Sequence, residues 1–329
     1  MYACILDAVA AVDRASLMQH QINYSILVLA IIGAGGVFTG SNPSYTPAEL
    51  AHHIQASESK FLISEPEILD PLLRAAKQVG VTDQNVWIFD NLGQSVPAGR
   101  KSFKTLMEYG EKDWVRFNDL DAVQTTAAAR LFSSGTTGLP KAVTITHYNF
   151  IAEHELVLGV NPRPYPVSDT RSMLSFEMKS LASNRADQVS RIIAVPAFHA
   201  SAAPVTHIST LKSGSPAYVM RRFAMEQYLA TIEKFGITDL VLVPPIVMAI
   251  LMSPFSRKRP FLHSVRLAAC GAAPLDKSLQ AQFRALMGNG PFTQVWGMTE
   301  TTCVATRFPF PEHDDTGSVG RLIPNLEAK

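Results

Sequence analysis

Short strands and amphipathic helices alternate along most of this chain, and that alternation narrows its fold more than any other feature. "TPAELAHHI" opens a helix with Thr46 as N-cap, Pro47 in the first turn and Glu49 three residues after the cap. This is a capping box, with proline where its missing N–H does no harm. "KFLIS" (Lys60–Ser64) reads as a strand, "EILDPLLRAAKQVG" as a helix ending near Gly80, and "NVWIFD" (Asn85–Asp90) as the next strand. Later, "MEQYLATIEKFG" sets Met225, Leu229 and Ile232 on one face and stops at Gly236. "TDLVLVPP" (Thr238–Pro245) and "VRLAAC" (Val265–Cys270) follow as strands, and "LDKSLQAQFRALMG" aligns Leu279, Phe283 and Leu286 on a further helix. Such a succession predicts an α/β fold with mixed, mostly parallel sheets packed with helices. Residues 91–100 and 307–320 are rich in Gly, Pro and polar residues and read as loops.

At 329 residues and 47% hydrophobic, the chain can bury a large core, and its length suggests about two domains or subdomains. The net charge of +1 argues against a nucleic-acid surface. Cys4, Cys270 and Cys303 share no metal-ligand spacing and suggest reduced thiols in a cytoplasmic compartment. The apolar run Ile26–Phe38 is shorter than the roughly 18–20 residues that span a bilayer, and glycines fill its second half. It reads as a buried helix ending in a Gly-rich turn, so no transmembrane segment is expected. No basic stretch precedes an apolar one at the N-terminus, which argues against a secretory signal.

The chemistry is concentrated in "SSGTTGLPK". Ser133, Ser134, Thr136 and Thr137 offer hydroxyls, Gly135 and Gly138 let backbone N–H groups converge on an anion, and Lys141 adds charge. No Gly-Lys-Ser/Thr closes the run, and strand-like "ARLFSS" and "AVTIT" flank it. A loop between two strands differs from the strand–loop–helix of a P-loop NTPase. Composition alone is compatible with a ligand-free turn.

The full string closely resembles the phosphate loop of the adenylate-forming superfamily, which includes acyl-CoA synthetases, luciferases and adenylation domains. Other matches follow in family order: "VPAFHA" (Val195–Ala200), "CGAAPL" (Cys270–Leu275) and "QVWGMTETT" (Gln294–Thr302). Residues 31–36, "NPSYTPAELAHHI" and "VPPIVMAI" bring it nearest to fungal 4-coumarate–CoA-ligase-like enzymes. The resemblance implies a large adenylation core over residues 1–329 that uses ATP, Mg²⁺ and coenzyme A. A carboxylic acid, aryl-propenoate or fatty, would be activated to acyl-AMP and passed to the thiol, in a pathway that family grounds make compatible with secondary metabolism.

Under that resemblance Ser133, Ser134, Gly135, Thr136, Thr137, Gly138 and Lys141 grip the β- and γ-phosphates. Trp296, where the family usually has Tyr, packs on adenine beside Gln294, Gly297 and Met298. Gly271 and Ala272 bring backbone to the adenylate, Thr299 bonds the α-phosphate, and Glu300 holds Mg²⁺. His199 lines the carboxylate entry, and Arg222 matches a basic position near coenzyme A phosphate. His52 and His53, on the capped helix, read as structural, and "EHDD" (Glu312–Asp315) reads as a solvated loop.

Two departures from the family stand out. Set against the resemblance, the family's ribose-binding Asp, hinge and small C-terminal lid domain with its Lys, and its first strands and helices, are expected to have no counterpart within these 329 residues. The chain is thus expected to be an incomplete core that adenylates slowly or not at all alone, and the alternative is a catalytically inactive remnant that binds nucleotide, an acyl ligand or a partner chain. A peroxisomal signal, frequent among relatives, is not found at "EAK". Second, residues 167–188 interrupt the resemblance, and their removal leaves "PRPYPVSRIIAVPAFHA". Val-Ser can be encoded by a common donor splice signal and Gln by an acceptor end. A retained intron and a genuine surface insertion are both open.

Overall fold

The computed structural model describes residues 14–17, 22–109, 113–134, 138–159, 189–256, 259–288 and 290–329. The suspected insertion at 167–188 lies outside them. The chain divides into two compact units, residues 1–151 with 196–203, and residues 152–195 with 204–329.

The first unit is built on a seven-stranded sheet in the order β5-β4-β3-β1-β2-β6-β7. Its strands are β1 (Arg14–Leu17), β2 (Phe38–Ser41), β3 (Phe61–Ser64), β4 (Val86–Ile88), β5 (Lys101–Ser102), β6 (Ala127–Ser133) and β7 (Lys141–Thr146). Every neighbouring pair is parallel except β6 and β7. The helices are α1 (Ile22–Gly33), α2 (Pro47–Ala56), α3 (Leu69–Val79), α4 (Leu120–Thr125) and α5 (His147–His154), whose last residues belong to the second unit.

Local chemistry accounts for these elements. The capping box on α2 is formed: the Thr46 N–H donates to Glu49 Oε2 at 2.7 Å, and the Glu49 N–H donates to Thr46 Oγ1 at 3.3 Å. α3 ends at Gly80 with φ 77°, a left-handed cap that glycine adopts without a Cβ penalty. The apolar run is the buried helix α1, turning at Gly35 with φ 76° before β2. Leu50 and Ile54 of α2, Leu72 and Ala76 of α3, and Leu62, Val86 and Ile88 of the sheet form one buried cluster.

The second unit holds a five-stranded parallel sheet, order β12-β11-β10-β8-β9, from β8 (Arg191–Ile193), β9 (Ala217–Val219), β10 (Asp239–Leu242), β11 (Leu267–Cys270) and β12 (Phe292–Gln294). A small antiparallel sheet follows, from β13 (Trp296–Gly297), β14 (Val304–Arg307) and β15 (Arg321–Leu322). The helices are α6 (Thr210–Lys212), α7 (Met225–Phe235), α8 (Pro244–Met252) and α9 (Lys277–Leu286). α7 buries Tyr228, Leu229 and Ile232 and ends at Gly236 with φ 61°.

In two places the structure differs from what the sequence pattern predicts. The strand expected through Pro245 ends at Leu242, because the Pro pair begins α8, where a proline's missing N–H costs nothing. On α9 the deeply buried residues are Gln280 and Phe283, whereas Leu279 and Leu286 are only partly covered. No helix among the described residues is long and apolar enough to cross a membrane.

Candidate functional site

In the first unit the phosphate-type loop closes the β6–β7 hairpin. The last register pair is Ser133 with Lys141, preceded by Phe132 with Ala142. Ser134, Gly138 and Lys141 are exposed, and Ser133 is partly covered. Gly138 has φ 133° and nothing within 4 Å of an added Cβ, so its requirement is conformational rather than steric. Gly135, Thr136 and Thr137 lie outside the described residues.

Helix α2 holds both arms of this hairpin. His52 Nε2 lies 2.7 Å from the Pro140 carbonyl oxygen. The His53 ring stacks on Phe132 with centroids 3.9 Å apart and is fixed by a 3.0 Å bond between Nε2 and Thr39 Oγ1. At the end of α2, the Arg130 guanidinium donates to the Ser57 carbonyl at 2.6 Å and pairs with Glu58 at 3.0 Å.

His199 also belongs to the first unit. Its Nδ1 accepts the Ser201 N–H at 3.1 Å and lies 2.9 Å from Ser201 Oγ. An Nδ1 that accepts leaves Nε2 carrying the proton in the neutral ring. Desolvation holds the imidazole below its ordinary pKa, which favours that neutral form.

In the second unit the loop after β11 is bound tightly to the segment after β12. The Gly271 N–H donates to the Leu242 carbonyl at 3.1 Å, and the Val295 N–H donates to the Cys270 carbonyl at 2.9 Å. A Cβ on Gly271 would meet Val295 Cγ2 at 2.8 Å. Ala272 follows with φ 68°, a left-handed conformation that costs a non-glycine residue free energy. Gln294 is buried, and its amide is spent on this loop. Its Oε1 accepts the Leu275 N–H at 2.9 Å, and its Nε2 donates to the Leu275 carbonyl and to Gln280 Oε1, each at 2.9 Å. Gln294 thus reaches the site through the loop it shapes.

The segment Trp296–Glu300 begins in β13 and turns at Thr299–Thr301. Trp296 keeps 48% of its surface exposed, a large flat aromatic face held by its own backbone, whose N–H donates to Thr306 Oγ1 at 3.2 Å. Gly297 is sterically required, because a Cβ there would lie 1.7 Å from the Cys303 carbonyl oxygen. Met298 is exposed, its N–H bonded to Thr301 Oγ1 at 3.2 Å. Thr299 is buried and Glu300 exposed. Arg222 is exposed in the turn after β9.

Beneath this segment lies Glu153, which the sequence did not single out. Its Oε1 accepts the Val304 N–H at 2.9 Å. Burial pushes the carboxyl up to about 7, against the Val304 N–H, the Cys303 thiol and the Arg307 charge. Burial, and then the Glu153 charge, also raises the Cys303 thiol, while burial alone pushes Cys270 to about 12. Cys270 and Cys303 are both buried and form no disulfide, and thiols held this far above their ordinary range are poor nucleophiles. Asp314, in the expected solvated loop, is instead buried. Burial raises its carboxyl, but the Thr316 hydroxyl and the N–H groups of Gly317, Ser318 and Thr316 outweigh that and hold it low. The signal for Glu153 and Gln280 was available only as polar residues on otherwise partly apolar helices.

Among the described residues no three His, Cys, Asp or Glu side chains gather to hold a metal. The exposed Glu300 carboxylate fits Mg²⁺ in the usual manner of that ion, through one or two carboxylates with substrate phosphates and water completing the shell.

These units have the architecture of the adenylate-forming enzymes. The chain is similar in fold to ATP-bound MatB from Rhodopseudomonas palustris, with a TM-score of 0.75 and 22% identity over 98% of this chain and 58% of that one. The family model described as AMP-binding enzyme matches residues 13–329, and the chain belongs to that family. It is 46% identical over 314 residues to Acyl-CoA ligase azaF of Aspergillus niger, covering 94% of this chain and 55% of the relative. It is likewise 46% identical to Phenylacetyl-CoA ligase epaB of Aspergillus niger, covering 94% of this chain and 54% of the relative. The chain therefore spans about half the length of the curated relatives it matches.

Proposed function

We propose that this chain carries the ATP-binding core of an AMP-forming acyl-CoA ligase. The observation that carries the reading is the β6–β7 hairpin, whose Ser/Thr/Gly loop ends with Lys141 opposite Ser133. Hydroxyls, backbone N–H groups and one lysine on a fixed hairpin make an anion grip, and charge-assisted hydrogen bonds are worth roughly 1.5–3 kcal/mol each.

In this reading Ser133, Ser134, Gly135, Thr136, Thr137, Gly138 and Lys141 bind the β- and γ-phosphates of ATP. Trp296 supplies a stacking face for adenine, and Gly271 and Ala272 border it with bare backbone. Thr299 donates to the α-phosphate. Glu300 would hold Mg²⁺, which when bound neutralises phosphate charge. The acid enters beside His199, whose neutral Nε2–H can orient a carboxylate without removing its nucleophilic charge. The carboxylate oxygen bonds to the α-phosphorus and pyrophosphate leaves. The thiol of coenzyme A, with Arg222 near its phosphate, then takes the acyl group and AMP leaves. The chain's part in the first step is positioning and electrostatic stabilisation of a highly charged centre.

The relatives' names support a carboxylic acid as the group activated, and an arylacetic acid belongs among the candidates. ATP–pyrophosphate exchange tests the reading with phenylacetic, 4-coumaric, medium-chain and long-chain fatty acids. Acid-dependent incorporation of label into ATP supports it. ATP binding with no exchange under any acid leaves an ATP-binding core that does not adenylate by itself, and absence of ATP binding overturns the reading.

A further inference from the structure

We propose that His52 is a positioning residue for the phosphate hairpin, holding the Pro140 carbonyl so that Lys141 stays in register with Ser133. This rests on the reading of that hairpin as the phosphate grip.

A glycine-containing loop between two strands is costly to order, roughly 1–2 kcal/mol of backbone entropy per residue. Among the described residues, the β6–β7 register runs out to the Ser133–Lys141 pair. Pro140, the next residue outward, has no N–H to extend the ladder. Its carbonyl remains, and His52 Nε2 meets it at 2.7 Å. A ring nitrogen facing a carbonyl oxygen must be the donor, so geometry assigns the Nε2–H form. The bond acts one residue from the cation at Lys141.

On the other arm, His52 also meets the Phe132 ring edge-on with centroids 6.5 Å apart, but His53 is the residue that packs closely there. It is 1% exposed and stacks on Phe132 at 3.9 Å with the ring planes 19° apart. Phe132 immediately precedes Ser133. Successive residues on a helix point about 100° apart, so adjacent histidines can serve two targets. One turn of α2 therefore touches the hairpin just before the loop and just after it. His52 is only partly buried, and its bond goes to loop backbone. A histidine serving only to fill the core would have its ring inside, as His53 does. The buried ring makes the entry arm rigid, and the hydrogen bond pins the exit arm.

The experiment is hydrogen–deuterium exchange on the full chain, wild type, His52→Ala and His52→Gln, without nucleotide and with MgATP. Without nucleotide, His52→Ala is expected to raise exchange in the peptide over residues 132–146 on the order of fivefold, the equivalent of one lost hydrogen bond. His52→Gln, whose amide N–H reaches as Nε2 does, should restore protection, and the α2–α3 core should exchange as in wild type. Unchanged exchange in the hairpin, or a parallel rise across α2 and α3, overturns the proposal. The MgATP arm reads the parent reading separately. Slower exchange of the same peptide in wild type supports phosphate binding there. A His52→Ala effect with no MgATP protection would keep the brace and retire the phosphate grip. In the active protein, His52→Ala should raise KM for ATP by a similar factor with kcat less affected.

Discussion

Gln294 and Gln280 share one buried hydrogen bond, Nε2 to Oε1 at 2.9 Å, and through it three segments of the second unit are fastened together. Gln294 grips both backbone groups of Leu275, and Gln280 Nε2 donates to the Phe292 carbonyl at 3.1 Å and the Asp314 carbonyl at 2.7 Å. The loop after β11, strand β12 and the Asp314 loop are therefore one hydrogen-bonded assembly. Gln280→Leu keeps a similar volume but leaves the Asp314 and Phe292 carbonyls without this donor. Each buried group left unsatisfied costs about 1–3 kcal/mol. With two carbonyls affected, the variant should lose about 2–6 kcal/mol of unfolding free energy and unfold at a correspondingly lower urea midpoint. A midpoint unchanged from wild type would show that water or local shifts replace the amide.

His53 predicts an acid-sensitive first unit. Burial first, and the neighbouring His52 charge second, push its pKa from 6.5 down to about 3. Between those values the unfolded chain binds a proton that the folded chain refuses. The His53 contribution is thus intact above pH 6.5 and is lost as pH falls toward 3, at up to about 1.4 kcal/mol per pH unit. Denaturant unfolding of wild type and His53→Phe across this window measures the slope. The variant should show a shallower acid decline whatever its absolute stability. Equal slopes would remove His53 from the acid response.

The parts of this molecule that the sequence revealed are those set by neighbours in the chain. The Thr46–Glu49 capping box, the left-handed stops at Gly80 and Gly236, and the strand–loop–strand around Ser133–Lys141 each depend on a few consecutive residues. What stayed hidden depends on distant partners. Gln280 on α9 owes its burial to the Asp314 carbonyl, 34 residues away, which no local pattern announces. Glu153 gave no sign of the Val304 N–H, 151 residues on. The short strands β2 and β13–β15 escaped because their ladders, not their alternation, define them. The return of residues 196–203 to the first unit could not be read from periodicity at all.

Glycine requirements divide into two kinds, and substitutions should separate them. Gly80 has φ 77° and nothing within 4 Å of an added Cβ, so Gly80→Ala should cost only the left-handed penalty, about 1–2 kcal/mol. A Cβ on Gly297 would lie 1.7 Å from the Cys303 oxygen and 2.7 Å from its carbonyl carbon. Those atoms belong to the facing segment's backbone and cannot rotate away. Gly297→Ala should therefore force β13 off β14, cost more than Gly80→Ala and, under the proposed stacking of adenine on Trp296, weaken ATP binding. Calorimetric unfolding and ATP titration of both variants check this. Similar effects for the two would contradict the steric assignment.

Glu153 gives the second unit the opposite pH dependence from His53. Its carboxyl is raised from 4.5 to about 7, chiefly by burial, beneath the strand that pairs with Trp296–Gly297. Between those values the folded chain keeps a proton that the unfolded chain has released. Stability from this group is therefore greatest below pH 4.5, falls as pH rises through 7, and stays reduced above it. The full swing is on the order of 3 kcal/mol. Glu153→Gln retains an oxygen for the Val304 N–H and cannot ionise. It should unfold at higher denaturant than wild type at about pH 8 and converge with it at about pH 5. Parallel pH profiles for the two proteins would show that Glu153 is paired well enough to ionise without penalty, and that the strand beneath Trp296 carries no titrating support.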